Sequence, residues 1–211
     1  MDLNAAPNSF LAQAMPEMTE EEYHKLAQLI YKVSGISLKD SKQALLTSRL
    51  AGVLAQSGRK NFTEYYNSLV NDPSGAAVAA LVDRITTNHT YFMREPAHFN
   101  YFRDTVLPSL KKTVTDKDMR IWCAACSTGE EPYTLAMILD EFLDADKSRW
   151  DSQVLATDLS EKVLKDAARG VYAQERIEPL PSLWKQKYLK RLPDGSYEFV
   201  ERIKKEVIYR R

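Results

Sequence analysis

Hydrophobic positions along the chain follow two regimes. From Thr19 onward they recur at helical spacing, with Tyr23, Leu26, Ala27, Ile30 and Val33 on one face. Thr19 suits an N-cap, Glu22 completes a capping box three positions on, and Gly35 is a natural stop. A second helix is expected from about Ser41 to Ser57, with Leu45, Leu46, Leu50, Val53 and Leu54 on one stripe and Gly58 after it. Shorter helices are expected over Thr63 to Val70 and Ala76 to Ile85. A run of helices with no strand between them predicts a small all-α bundle.

After Thr86 the period changes. Pro96 can open a helix ending near Lys112. Met119 to Ala124 is a short, nearly continuous apolar run, the pattern of a buried parallel strand. A helix over Pro132 to Leu143, a strand over Gln153 to Thr157 and a Ser160-capped helix towards Ala168 follow. This alternation predicts an α/β sheet. From Pro179 the order breaks. A helical piece, Leu183 to Leu189, leads into the turn Pro193-Asp194-Gly195, with Tyr197 to Val200 and Val207 to Tyr209 as short strands around it. Met1 to Glu17 has no period and is expected to be a loose tail.

Composition narrows the classes. Hydrophobic residues make up 44% of the 211, enough for a packed core. Lysine plus arginine total 29 and aspartate plus glutamate also total 29, so no basic footprint points to nucleic acid. No apolar run approaches the roughly 20 residues that cross a bilayer, so no membrane insertion is expected. The first eighteen residues do not read as a signal peptide, and Cys123 and Cys126 are too few for a disulfide framework. A cytoplasmic location is expected.

The chemistry concentrates where the first strand leaves the sheet, at Ile121-Trp122-Cys123-Ala124-Ala125-Cys126-Ser127-Thr128-Gly129-Glu130-Glu131-Pro132-Tyr133. Open α/β sheets bind ligands at such carboxyl ends. A phosphate loop needs several glycines and a bare helix N-terminus. This loop has one glycine, no following lysine, and two glutamates on the first helical turn. Those acids oppose NAD or ATP and suit a cationic ligand, such as the sulfonium of S-adenosylmethionine (SAM). They also serve as favourable first-turn acids with no ligand role. Asp158 ends the second strand, where an acid commonly accepts hydrogen bonds from ribose hydroxyls; capping the next helix is its other reading. Cys123 and Cys126 lack histidine partners for zinc, and packing as small apolar residues is favoured over a redox pair. No metal site is expected.

Three segments together resemble the chemotaxis-receptor glutamate methyltransferases, the CheR family. They are Thr86-Thr87-Asn88-His89-Thr90-Tyr91-Phe92-Met93-Arg94-Glu95, the loop Cys126 to Tyr133, and Ala156-Thr157-Asp158. The resemblance runs from about Thr19 to the last residue. It implies a tail over 1–18, an N-terminal helical receptor-docking domain over 19–85, and a SAM-dependent methyltransferase domain over 86–211. That second domain would be the first part of a Rossmann-like class I methyltransferase sheet, with a small antiparallel β subdomain inserted at about 171–206. Asn88, Thr90 and Arg94 would line the SAM pocket, with Arg94 near the transferring methyl as the catalytic residue. Ala125 and either Glu130 or Glu131, with Glu131 favoured, would meet the amino-acid end, and Asp158 the ribose. Read without the family, Arg94 is a surface arginine paired with a nearby acid.

The implied reaction transfers a methyl from SAM to glutamate side chains of methyl-accepting chemotaxis receptors, leaving S-adenosylhomocysteine. The implied partner is the cytoplasmic helical region of such receptors. A receptor C-terminal peptide adding a strand to the β subdomain is a second one, suited by the excess of basic residues between Trp184 and Arg211. Docking would use Lys42, Arg49 and Arg59, although Ala51, Gly52, Val53, Ala55 and Gln56 stand where the family can be arginine-rich, and a solvated helix face is the other reading of Arg49. The family continues beyond Arg211 with residues that complete the adenine and methyl pockets. The 211 residues alone are therefore expected to be poorly stable and inactive, and a non-catalytic SAM-sensing or receptor-binding module is the alternative.

Overall fold

A computed structural model describes residues 17–211; the expected tail falls almost wholly outside the described residues. The chain divides into two compact units between Ile85 and Thr86.

Among the described residues, the first unit's elements are helices: α1 (Glu20–Ser34), α2 (Gln43–Gln56), α3 (Phe62–Val70) and α4 (Ala76–Ile85). The capping box forms, with Thr19 accepting from the Glu22 amide and the Glu22 carboxylate accepting from the Thr19 amide. Gly35 ends α1 in the left-handed region at φ 73°. The buried Glu22 carboxylate also accepts from the Thr63 amide and hydroxyl, at 2.8 and 2.9 Å, tying α1 to α3. Leu26, Ile30, Leu46, Leu50, Leu54, Phe62, Leu69 and Leu81 form the core. Met18, assigned to the tail from sequence, is buried against it.

The second unit opens with α5 (Pro96–Tyr101), which passes through a π turn at Phe102–Val106 into α6 (Leu107–Thr113). Strands β1 (Ile121–Cys123), β2 (Val154–Thr157) and β6 (Val207–Arg210) form a parallel sheet in the order β1-β2-β6. Helix α7 (Glu130–Leu143) joins β1 to β2 and α8 (Glu161–Arg169) leaves β2. Between α8 and β6 lie β3 (Val171–Tyr172), α9 (Gln174–Ile177), α10 (Ser182–Tyr188), β4 (Leu189–Arg191), β5 (Tyr197–Phe199) and α11 (Glu201–Lys204). Strands β3, β5 and β4 make a separate antiparallel sheet. One expectation is corrected here. Val207 to Tyr209 does not flank the Asp194 turn as part of the small hairpin; it pairs in parallel with β2, Val154 to Val207 and Ala156 to Tyr209.

The pleat sorts the parallel sheet's side chains onto two faces. Cys123, Val154, Ala156 and Val207 are buried on the face that meets α7. On the opposite face Trp122, Leu155 and Ile208 stand in register, with Trp122 67% exposed. No helix among the described residues is long and apolar enough to cross a membrane.

Candidate cofactor site

The site is built where β1 and β2 end. The Cys126 amide donates to the Thr157 carbonyl at 2.9 Å, holding the loop after β1 against β2. Ser127 sits at φ 48°, a left-handed conformation unusual for a side chain larger than glycine. There its amide donates to Asp158 Oδ2 at 2.8 Å and its hydroxyl donates to the Asn88 carbonyl at 3.0 Å. One residue thus joins the three segments that the sequence singled out. Gly129 follows at φ 97°. A β-carbon there would stand 2.8 Å from the Tyr172 hydroxyl and 3.0 Å from the Ala167 β-carbon, so only glycine fits.

The segment before α5 contributes the other wall. Met93 and Glu95 both have positive φ, 59° and 58°, on either side of Arg94. Such conformations cost about 1–3 kcal/mol each and persist where surrounding structure over-determines them, often at functional sites. Arg94 Nη1 donates to the His89 carbonyl at 3.0 Å.

These pieces enclose a cavity of about 220 Å³ lined by Asn88, Thr90, Arg94, Ala125, Glu131 and Asp158, with Ser127 and Phe99 among its other walls. Six of the seven residues expected at the cofactor therefore converge. Glu130 does not. It is fully buried and forms an ion pair with Arg176, while the Thr128 hydroxyl donates to it at 2.7 Å. Glu131, one position on, is exposed and faces the cavity. It accepts from the Cys123 thiol at 3.0 Å. The cysteines are free and buried. Burial, with the Glu131 carboxylate beside it, pushes the Cys123 thiol far up; burial and Asp158 push Cys126 up to about 12. Both stay protonated, so Cys123 acts as a donor and neither resembles a redox thiolate.

The donor set fits a cationic nucleoside. A carboxylate offers about four lone-pair sites. Asp158 uses two, for the amides of Ser127 and Ser160, leaving two for vicinal hydroxyls. Glu131 uses one, for the thiol, leaving capacity for an ammonium group. Ser160 itself caps α8, accepting from the Val163 amide. Asp158 is therefore not the cap of α8, and its remaining acceptor capacity is open to a ligand.

Sequence reading missed Tyr172 and Arg176. The Tyr172 hydroxyl donates to the Thr128 carbonyl at 2.6 Å, and Arg176 Nη2 donates to the Thr128 hydroxyl at 2.9 Å. Neither belongs to a local motif, and their partners lie over forty residues away. In the first unit, the Arg49 guanidinium donates to the Ile85 carbonyl at the end of α4. Lys42 is exposed and Arg59 half-buried.

Residues 21–86 match the CheR methyltransferase all-alpha domain, and residues 88–211 match the CheR methyltransferase SAM-binding domain. The chain is 40% identical over 197 residues to a chemotaxis protein methyltransferase of Borreliella burgdorferi, covering 92% of this chain and 70% of that protein. It is 33% identical over 190 residues to the Escherichia coli chemotaxis protein methyltransferase, covering 90% and 63%. With chemotaxis protein methyltransferase 2 of Pseudomonas aeruginosa it shares 35% identity over 175 residues, covering 82% and 59%. The chain thus spans 59% to 70% of the length of these relatives. It belongs to the CheR methyltransferase family, carrying that family's all-α domain and SAM-binding domain.

Proposed function

We propose that the protein of which this chain is the sequence methylates glutamate side chains of chemotaxis receptors in the cytoplasm, with SAM as donor. The observation that carries this reading is the convergence of Asn88, Thr90, Arg94, Ala125, Glu131 and Asp158 on one cavity. Bound there, SAM supplies an electrophilic methyl group on a cationic sulfur. Glu131 would hold the ammonium group and Asp158 the ribose hydroxyls, fixing the donor at both ends. Arg94 would orient the acceptor carboxylate and neutralise its charge. A glutamate carboxylate is already ionised at neutral pH, so no general base is required. Catalysis would then rest on alignment of the reacting atoms, favoured by the hydrogen-bonded loop at Ser127 and the left-handed residues on either side of Arg94. Lys42, Arg49 and Arg59 are proposed docking residues for the acidic helical receptor, and the β3-β5-β4 sheet a site for a receptor tail peptide.

The test is transfer of radiolabelled methyl from SAM to a receptor's cytoplasmic fragment in a form released by mild base. Binding of S-adenosylhomocysteine without any transfer would favour the non-catalytic alternative. Base-stable label would overturn the ester.

A further inference from the structure

The buried carboxylate of Glu130 has no role in the cofactor pocket, yet it is 0% exposed and a charge so placed is costly unless paired. Its partner is Arg176, which arrives from α9, beyond β3 of the inserted antiparallel sheet. The Thr128 hydroxyl closes the triangle, accepting from Arg176 at 2.9 Å and donating to Glu130 at 2.7 Å. From the same insertion Tyr172 donates to the Thr128 carbonyl at 2.6 Å, and its hydroxyl occupies the space a side chain on Gly129 would need. Thr128, Gly129 and Glu130 lie between Ser127 and Glu131, both of which line the cavity.

We infer that Arg176 is a positioning residue for the cofactor loop: paired with Glu130 and bonded to Thr128, it holds Ser127 and Glu131 at the spacing the cofactor requires. The inference rests on the cavity being the SAM site. It makes the insertion a structural part of that site and assigns Glu130 to Arg176, not to ligand.

The two members of the pair are not equivalent. Arg176 has a side chain 40% exposed and can be solvated when Glu130 loses its charge. Glu130 cannot be solvated when Arg176 is removed. In the full-length protein, Arg176→Met is therefore expected to weaken S-adenosylhomocysteine binding by about tenfold or more, whereas Glu130→Gln stays within about threefold of the parent. Adding Glu130→Gln to Arg176→Met should recover part of the loss, a non-additivity that marks direct coupling, with the remainder reflecting the missing bond to Thr128. In turnover, Arg176→Met should raise KM for SAM while leaving kcat at saturation within about threefold, since it touches no reacting atom.

Hydrogen exchange at the amides of Thr128, Gly129 and Glu130 reads the same coupling without ligand. Exchange should speed up in Arg176→Met and slow again in the double variant. If the parent fails to bind S-adenosylhomocysteine, the SAM reading falls while the exchange arm still decides the role of Arg176. Equal effects of Arg176→Met in both backgrounds overturn the inference. So does a Glu130→Gln variant that loses binding as badly as Arg176→Met, which would place Glu130 on the ligand.

Discussion

The hydroxyl of Tyr172 stands 2.8 Å from where a β-carbon on Gly129 would lie, while donating to the carbonyl of the neighbouring Thr128. Burial and the nearby Glu130 charge push this phenol well above the usual tyrosine range, so it remains a donor. Gly129→Ala is expected to destabilise the second unit by about 2 kcal/mol or more, from the clash and from φ 97° together. Tyr172→Phe removes the nearest clashing atom but leaves the Ala167 β-carbon at 3.0 Å and the backbone strain. Urea unfolding of the two single variants and the double variant should show only partial relief. Full rescue would mean that strain at Gly129 is unimportant.

Glu131 lines the cavity and accepts from the Cys123 thiol at 3.0 Å, while Cys123 itself is buried behind it and acts on a ligand only through that carboxylate. A hydrogen bond to a charged group contributes about 1.5–3 kcal/mol, so Glu131→Gln should weaken S-adenosylhomocysteine binding by about 10- to 100-fold. A thiol is a weak donor, and Cys123→Ala should cost only a few-fold. Calorimetric titration of both variants checks this. Equal losses would show that the thiol's bond to Glu131 matters as much as the carboxylate's charge.

Much of this arrangement is legible in the amino-acid sequence. Thr19 with Glu22, Gly35 and Ser160 are local signals whose partners lie within a few residues, and each formed as read. The strands at Cys123 and Ala156 were marked by apolar runs bounded by loops. What the sequence hid was non-local. Val207 to Tyr209 reads the same whether its partner is a nearby hairpin or β2, some fifty residues earlier; only the closed sheet decides. Strand β3 is two residues long and carries no pattern of its own. Which of Glu130 and Glu131 faces the cavity is a matter of helix phase. Glu130 shares the buried stripe of α7 with Thr134 and Ile138, whereas Glu131 lies above half-buried Leu135. Arg176 was silent because an arginine in a short helix looks like any solvated cation.

Asp140 on α7 gathers the Tyr188 hydroxyl at 2.8 Å and Arg202 at 2.9 Å. Burial alone would raise its carboxyl. The hydrogen bonds from Arg202 and Tyr188, with the charges of Arg202 and Lys187, outweigh that and hold it below its ordinary value of 3.8. The folded protein therefore binds this proton less readily than the unfolded chain. The resulting stabilisation is complete above the unfolded value and is lost as pH falls through the folded one. Asp140→Asn should lower the unfolding free energy at neutral pH by about 1–3 kcal/mol. The gap to the parent should shrink below about pH 4. Denaturant midpoints at neutral pH and near pH 3.5 test this; a constant gap would detach Asp140 from acid sensitivity.

Trp122, 67% exposed, and Leu155, 39% exposed, sit side by side on the sheet face away from α7. Apolar surface in register on a parallel sheet normally lies under helices. Residues 1–211 prepared alone are expected to self-associate, and Trp122→Gln with Leu155→Thr to shift the population towards monomer. Sedimentation velocity distinguishes the cases. A parent chain that stays monomeric throughout a concentration series would refute the expectation.

The segment from Gly170 to Glu206 is spliced between neighbouring strands of one sheet, yet Tyr172 and Arg176 send side chains back into the loop after β1. A graft of this kind can change its tip without touching the trunk, but not its root. Lengthening, shortening or recharging the turn at Asp194 should leave the loop after β1 undisturbed. Exchanging the whole insertion between family members should succeed only when the first few residues travel with a compatible loop.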